Sequence, residues 1–146
     1  MAQEFTQDII DKVWNKGTIV EGYDESLFRK DSCGAWIVRG QYGETNSSFG
    51  WEIDHVYPQI KGGDDNLLNL RPMQWENNRS KGDDYPNFDT SVRADGNKNV
   101  KKEGHFAVNK TLQEKLSGLY DIAWFTLKTD FMKIHNIKID NLYGSY

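Results

Sequence analysis

The sequence predicts an α+β fold, and three observations predict it. A capped helix signal opens the chain, short apolar runs with strand-like alternation occupy its middle, and apolar residues spaced three and four apart fill its last third. No stretch repeats, and the 146 residues suit one domain, 1–146. Five Trp, seven Tyr and seven Phe supply the large side chains that a core of this size needs.

The elements follow in order. Residues 7–16 predict a helix, with Thr6 as N-cap and Gly17 just past the end. Phe5 and Ile10 stand at the two positions of a hydrophobic staple, while Ile9 and Val13 share a face. Residues 17–34 read as loop. "AWIVR", 35–39, predicts a short strand that ends at the Gly- and Ser-rich "GQYGETNSSFG".

"WEIDHV" alternates apolar and polar residues like a half-buried strand. "PQIKGGDDNLL" is a loop by its Pro, Gly-Gly and Asp-Asp content, with Gly62-Gly63 as the turn that sends the chain back. "NLRPM" predicts a second strand, which Pro72 confines to an edge or to the strand's end. "QWENNRSK" carries no breaker and predicts about two helical turns before Gly82. Residues 51–82 therefore form a ββα unit, with 1–50 as an N-terminal extension. Residues 83–104 are polar, with Pro86, Gly96 and Gly104, and read as an ordered loop or a mobile segment. Leu112, Leu116, Leu119, Ala123, Leu127, Phe131 and Ile134 predict an amphipathic helical end to the segment 83–146, with Gly118 as a point of division.

The polar residues of the ββα unit have a distinctive order: Asp54-His55, Pro58, Gly62-Gly63, Asn69-Leu70, Asn78 and Lys81. Asn69 lies 14 residues after His55, Asn78 nine after Asn69, and Lys81 three after Asn78. In these residues and spacings the segment resembles the HNH endonuclease family, the ββα-metal nucleases, in its Asp-His/Asn/Asn form. "RKDSCGAWIVRGQYG" leading into "GWEIDH" is similar to small stand-alone bacterial members, so the resemblance spans residues 10–83. It implies a central ββα-metal unit flanked by an N-terminal helix and C-terminal helices.

The resemblance also implies roles. His55 would be the general base, since a neutral imidazole with pKa about 6.5 accepts a water proton at physiological pH. Asp54 and Asn78 would hold one divalent cation, Mg²⁺ or Mn²⁺, leaving most of its positions to water and phosphate. The ion would act as Lewis acid on the phosphoryl group, and cleavage would leave 5′-phosphate and 3′-hydroxyl ends. Asn69 would hold the backbone near His55 and so aim the imidazole. Lys81, with Arg79 beside it, would hold phosphate.

Several points stay open. Successive residues of a regular strand face opposite ways, so Asp54 and His55 share one site only if the strand breaks regularity there. Asn77 is the alternative to Asn78. Glu52 shares the strand face of Asp54 and reads as surface or salt-bridge residue, or as an outer acceptor. Many family members frame the last motif residue with Cys-x-x-Cys pairs. Here the stretch is "RPMQWENN" and the only cysteine is Cys33, so no structural zinc is expected and Met73 and Trp75 would hold the helix by packing.

A formal net charge of −4 speaks against a generic nucleic-acid coat, and leaves room for an enzyme that meets DNA or RNA through a local patch. Lys98, Lys101 and Lys102 form the most basic run, next to His105. The acidic start "MAQEFTQDII" lacks the pattern of a signal peptide, and no apolar run approaches the ~18 residues of a membrane span. The expectation is a cytoplasmic protein without membrane contact. Monomer and homodimer are both open. Three functions compete: a metal-dependent nuclease, a non-catalytic nucleic-acid- or protein-binding module on the same scaffold, and an effector nuclease with an immunity partner.

Overall fold

A computed structural model describes residues 4–120. The chain divides into two compact units, Met1–Ala107 and Val108–Tyr146. The first is an α+β unit of two helices and three two-stranded antiparallel sheets.

Helix α1 spans Gln7–Trp14, and the Thr6 hydroxyl accepts from the Ile9 N–H at its start. Strand β1, Phe28–Lys30, pairs with β2, Trp36–Val38, so a brief strand lies inside the stretch read as loop. Three residues with Phe28 exposed offer too little alternation to signal a strand. Strand β3, Trp51–His55, pairs with β4, Leu70–Gln74, and α2, Trp75–Lys81, follows at once. Pro72 stands opposite Ile53 in a strand with one partner, where its missing N–H is tolerated.

The β3–β4 ribbon has two covered faces. On one, Trp51, Ile53 and Leu70 pack with Val13 and Trp14 of α1 and Ile37 of β2, and Phe5, Ile9, Ile10 and Tyr42 close the rim. Trp14 and Trp51 are fully buried with ring centres 5.5 Å apart, each withdrawing about 150–250 Å² from water. On the other face α2 lies against Glu52 and Asp54.

Residues 83–104 differ most from the sequence expectation. They are an ordered hairpin of β5, Asn87–Asp95, and β6, Lys98–Ala107, turning through Gly96 at φ 61°. The alternation in β5 buries Phe88, Thr90 and Val92, and one of these is polar, which hides the strand signal. The register slips between Thr90 and Val92. There Asn77 of α2 takes over: its Oδ1 accepts from the Ser91 and Val92 N–H groups, and its Nδ2 donates to the Val92 carbonyl.

The start of α2 is held by polar groups as well as by packing. The Gln74 side chain accepts from the Glu76 and Asn77 N–H groups. Buried Asp31 accepts from the Cys33, Ala35 and Gln74 N–H groups and from Asn77 Nδ2. Met73 is fully buried and Trp75 donates to the Ser47 carbonyl at 2.8 Å. Beside the packing of Met73 and Trp75, a buried carboxylate and two amides fasten the start of the helix. Burial, and next the Asp31 charge, push the Cys33 thiol up to about 12, so it is an inert core residue.

In the second unit, α3 spans Lys110–Tyr120 and runs unbroken through Gly118. The expected continuation through Ala123, Leu127, Phe131 and Ile134 lies outside the described residues. Among the described residues no helix is long and apolar enough to cross a membrane.

Candidate active site

One side-chain amide makes three of the hydrogen bonds that close the loop leaving β3. Fully buried Asn69 accepts from the Tyr57 N–H at 2.7 Å and donates to the Tyr57 and Asp64 carbonyls at 3.0 and 3.1 Å. Its own carbonyl accepts from the Val56 N–H at 2.9 Å, just past His55. Gly62, at φ 109°, turns the chain where an L side chain would be strained. At Gly63 any Cβ would stand 1.9 Å from the Tyr57 carbonyl oxygen, so only glycine allows this closure.

His55 leaves β3 by the face that carries Trp51 and Ile53, its ring 6.1 Å from that of Phe5, and its side chain is 13 % exposed. Its Nε2 lies 2.7 Å from Asp65 Oδ1. An ionised carboxylate only accepts, so Nε2 donates in this contact, and in the neutral ring the lone pair falls on Nδ1. Asp65 drew no notice in the sequence, where Asp64-Asp65 reads as loop composition, because the contact forms only when the loop folds back.

Asp54 goes the other way. It lies on the α2 face of the strand, 4 % exposed, with Oδ2 3.0 Å from Arg71 Nε and Oδ1 3.2 Å from Lys81 Nζ. β3 keeps its register through His55, so adjacent side chains leave by opposite faces. Asp54 and His55 are therefore not brought together as the resemblance implied. Lys81 is enclosed too, held by Asp54 and by the His55 carbonyl at 3.3 Å. Burial pushes its ammonium below the ordinary range, while Asp54 pulls it back up. From there Lys81 supports the backbone of His55 and is not presented to a phosphate.

The two asparagines separate cleanly. Asn77 is fully buried and spent on β5, while Asn78 points to the cleft, its Nδ2 3.2 Å from Glu52 Oε1. Arg79 Nη2 meets the other Glu52 oxygen at 3.3 Å. Beyond one bridge between Tyr42 and Trp51, the second edge of β3 has no strand partner among the described residues. Side chains from both faces reach over this edge into a cleft of about 650 Å³, where Glu52, His55, Asn78 and Arg79 meet Phe5 and Gln59. A carboxylate, an amide, an imidazole and an exposed guanidinium in one cleft suit a hard divalent cation and a phosphate.

A second group of ligand type lies on the hairpin. Asp89, Glu103 and His105 are exposed and close together, with His105 Nδ1 2.6 Å from Asp89 Oδ1 across the ladder. That bond, reinforced by the Asp89 charge, raises the imidazole above its ordinary range. Lys101 of the basic run pairs with Glu76 of α2. No protein-family model, curated protein or solved structure matches the chain.

Proposed function

We propose that the protein is a divalent-cation-dependent HNH-type endonuclease that hydrolyses phosphodiester bonds in DNA, with RNA as the other substrate class. One observation carries the reading: His55, Asn78 and a strand carboxylate open into a single cleft beside β3. The Asp65 partner on one ring nitrogen and the cleft beside the ring support a chemical role for His55.

His55 takes a proton from the attacking water on Nδ1, because Nε2 is committed to Asp65. The water oxygen bonds to phosphorus, the bond from phosphorus to the 3′ oxygen breaks, and that oxygen takes up a proton from solvent. A divalent cation, when bound, supplies Lewis-acid relief of charge on the phosphoryl oxygens. Arg79, 59 % exposed at the cleft, turns from Glu52 to the phosphate. Lys81 holds the His55 carbonyl and Asn69 holds the backbone two residues on, at Tyr57. Binding the polyanion through this local group accommodates the net charge of −4.

Incubation with supercoiled plasmid tests the reading. Nicking with Mg²⁺ or Mn²⁺, and its loss in EDTA, is the expected result. Absence of cleavage of duplex, single-stranded and branched DNA and of RNA with every ion tried overturns it, and binding without cleavage points to a non-catalytic module.

A further inference from the structure

We propose that the divalent-cation site of this cleft is built on Glu52 and Asn78, with Asp54 serving as internal counter-ion to Arg71 and Lys81. The inference deepens the nuclease reading and rests on it for what the ion does, though not for where the ion binds.

Charge decides between the two carboxylates. Around Asp54 one negative charge already faces two positive ones, both within 3.2 Å. The Arg71 Nη2 nitrogen is buried there with no hydrogen-bond acceptor, and Asp83 acts on Lys81 only through its charge, so the nest offers an incoming cation no spare carboxylate oxygen. A dication would bring repulsion from two fixed cations, in a site 4 % exposed where screening is weak. It would also have to displace Arg71, which lies 5.2 Å over the Phe88 ring, or Lys81, whose side chain is fully enclosed.

Glu52 offers the opposite setting. Its side chain is 21 % exposed on the cleft, and its two oxygens are held by Asn78 and by Arg79. Both partners lie at the cleft, and Arg79, 59 % exposed, also stands 5.6 Å over the Trp75 ring. Half a turn about the last bond of Asn78 replaces Nδ2 by Oδ1, which sets an amide oxygen beside the carboxylate. Arg79 swings into the cleft and leaves the second Glu52 oxygen to the ion. The resulting pair of oxygen ligands carries one negative charge, so the bound ion stays net positive toward a phosphate, and its other positions remain for water and substrate. The exposed Asp89, Glu103 and His105 group is the competing cation site and enters the test as a control.

Titration of the whole chain with Mn²⁺ by calorimetry, without substrate, reads the site directly. Glu52→Gln is expected to weaken binding by about tenfold or more, with Asn78→Ala behaving alike. His105→Ala is expected to leave that site unchanged. Asp54→Asn is expected to keep the wild-type affinity while lowering the melting temperature. Lys81→Met serves where Asp54→Asn does not fold: it frees Asp54 Oδ1 and is expected to leave Mn²⁺ affinity unchanged. Wild-type affinity in Glu52→Gln, no Mn²⁺ binding by the wild type, or a gain of affinity in Lys81→Met overturns the proposal. Mn²⁺ bound through Glu52 by a chain that cleaves nothing would remove the nuclease reading alone. Cleavage with Mn²⁺ affinity untouched in Glu52→Gln would remove this inference alone.

Discussion

His55 Nε2 and Asp65 Oδ1 stand 2.7 Å apart, and this contact decides which nitrogen of the ring is left to do chemistry. The carboxylate fixes hydrogen on Nε2 and leaves the Nδ1 lone pair for a water proton. Asp65→Asn can present its amide N–H to Nε2, which reverses the tautomer. The expected result is a change from the Nε2–H to the Nδ1–H signature in ¹⁵N NMR, with nicking slowed about 100-fold or more. A wild-type ring already protonated on Nδ1 contradicts the assignment.

Asn69 is expected to matter for stability as much as for activity. Asn69→Ala leaves the Tyr57 N–H and the Tyr57 and Asp64 carbonyls without their side-chain partner. Urea unfolding should show a loss of about 2 kcal/mol or more. A loss within error would mean that water replaces the amide and that the loop does not depend on it.

Asp31 is the second fastening point. It ties the 31–35 turn, the end of β4 and the start of α2 through four accepted hydrogen bonds, and it is 2 % exposed. Asp31→Ala orphans those donors and is expected to cost about 3 kcal/mol or more, read by chemical denaturation. Near-neutral stability would show that α2 is held by Trp75 and Met73 without it.

His105 gives a pH-dependent signal remote from the cleft. Its hydrogen bond to Asp89 raises its folded value above the ordinary one. The stabilisation is therefore fully present below the unfolded value of about 6.5 and lost as pH rises through the raised folded value. An NMR titration should place its midpoint above about 6.5 in the wild type and lower in Asp89→Asn. Equal midpoints would show that the pair does not persist in solution.

How much of this was legible in the sequence varies with the range of the interaction. Thr6 and the staple residues mark the start of α1 because capping is local, and the alternation in "WEIDHV" marks β3 for the same reason. The β5–β6 hairpin escaped notice because the inward residues of β5 include Thr90 and its outward ones are polar or charged, so polarity masks the period of two. The strand alternation itself raised the question of whether Asp54 and His55 can share a site, and the register places them on opposite faces. Glu52 was visible as a strand carboxylate, but its place beside Asn78 depends on how α2 packs. Asp65 and Asp31 act across folded loops and leave no periodic trace.

The measurement that bears most directly on the central claim is nicking by His55→Ala beside the wild type, with Mn²⁺ present and folding checked by melting temperature. The account predicts a chain that melts like the wild type and nicks about 100-fold more slowly or not at all. Undiminished nicking by a folded His55→Ala protein would contradict it.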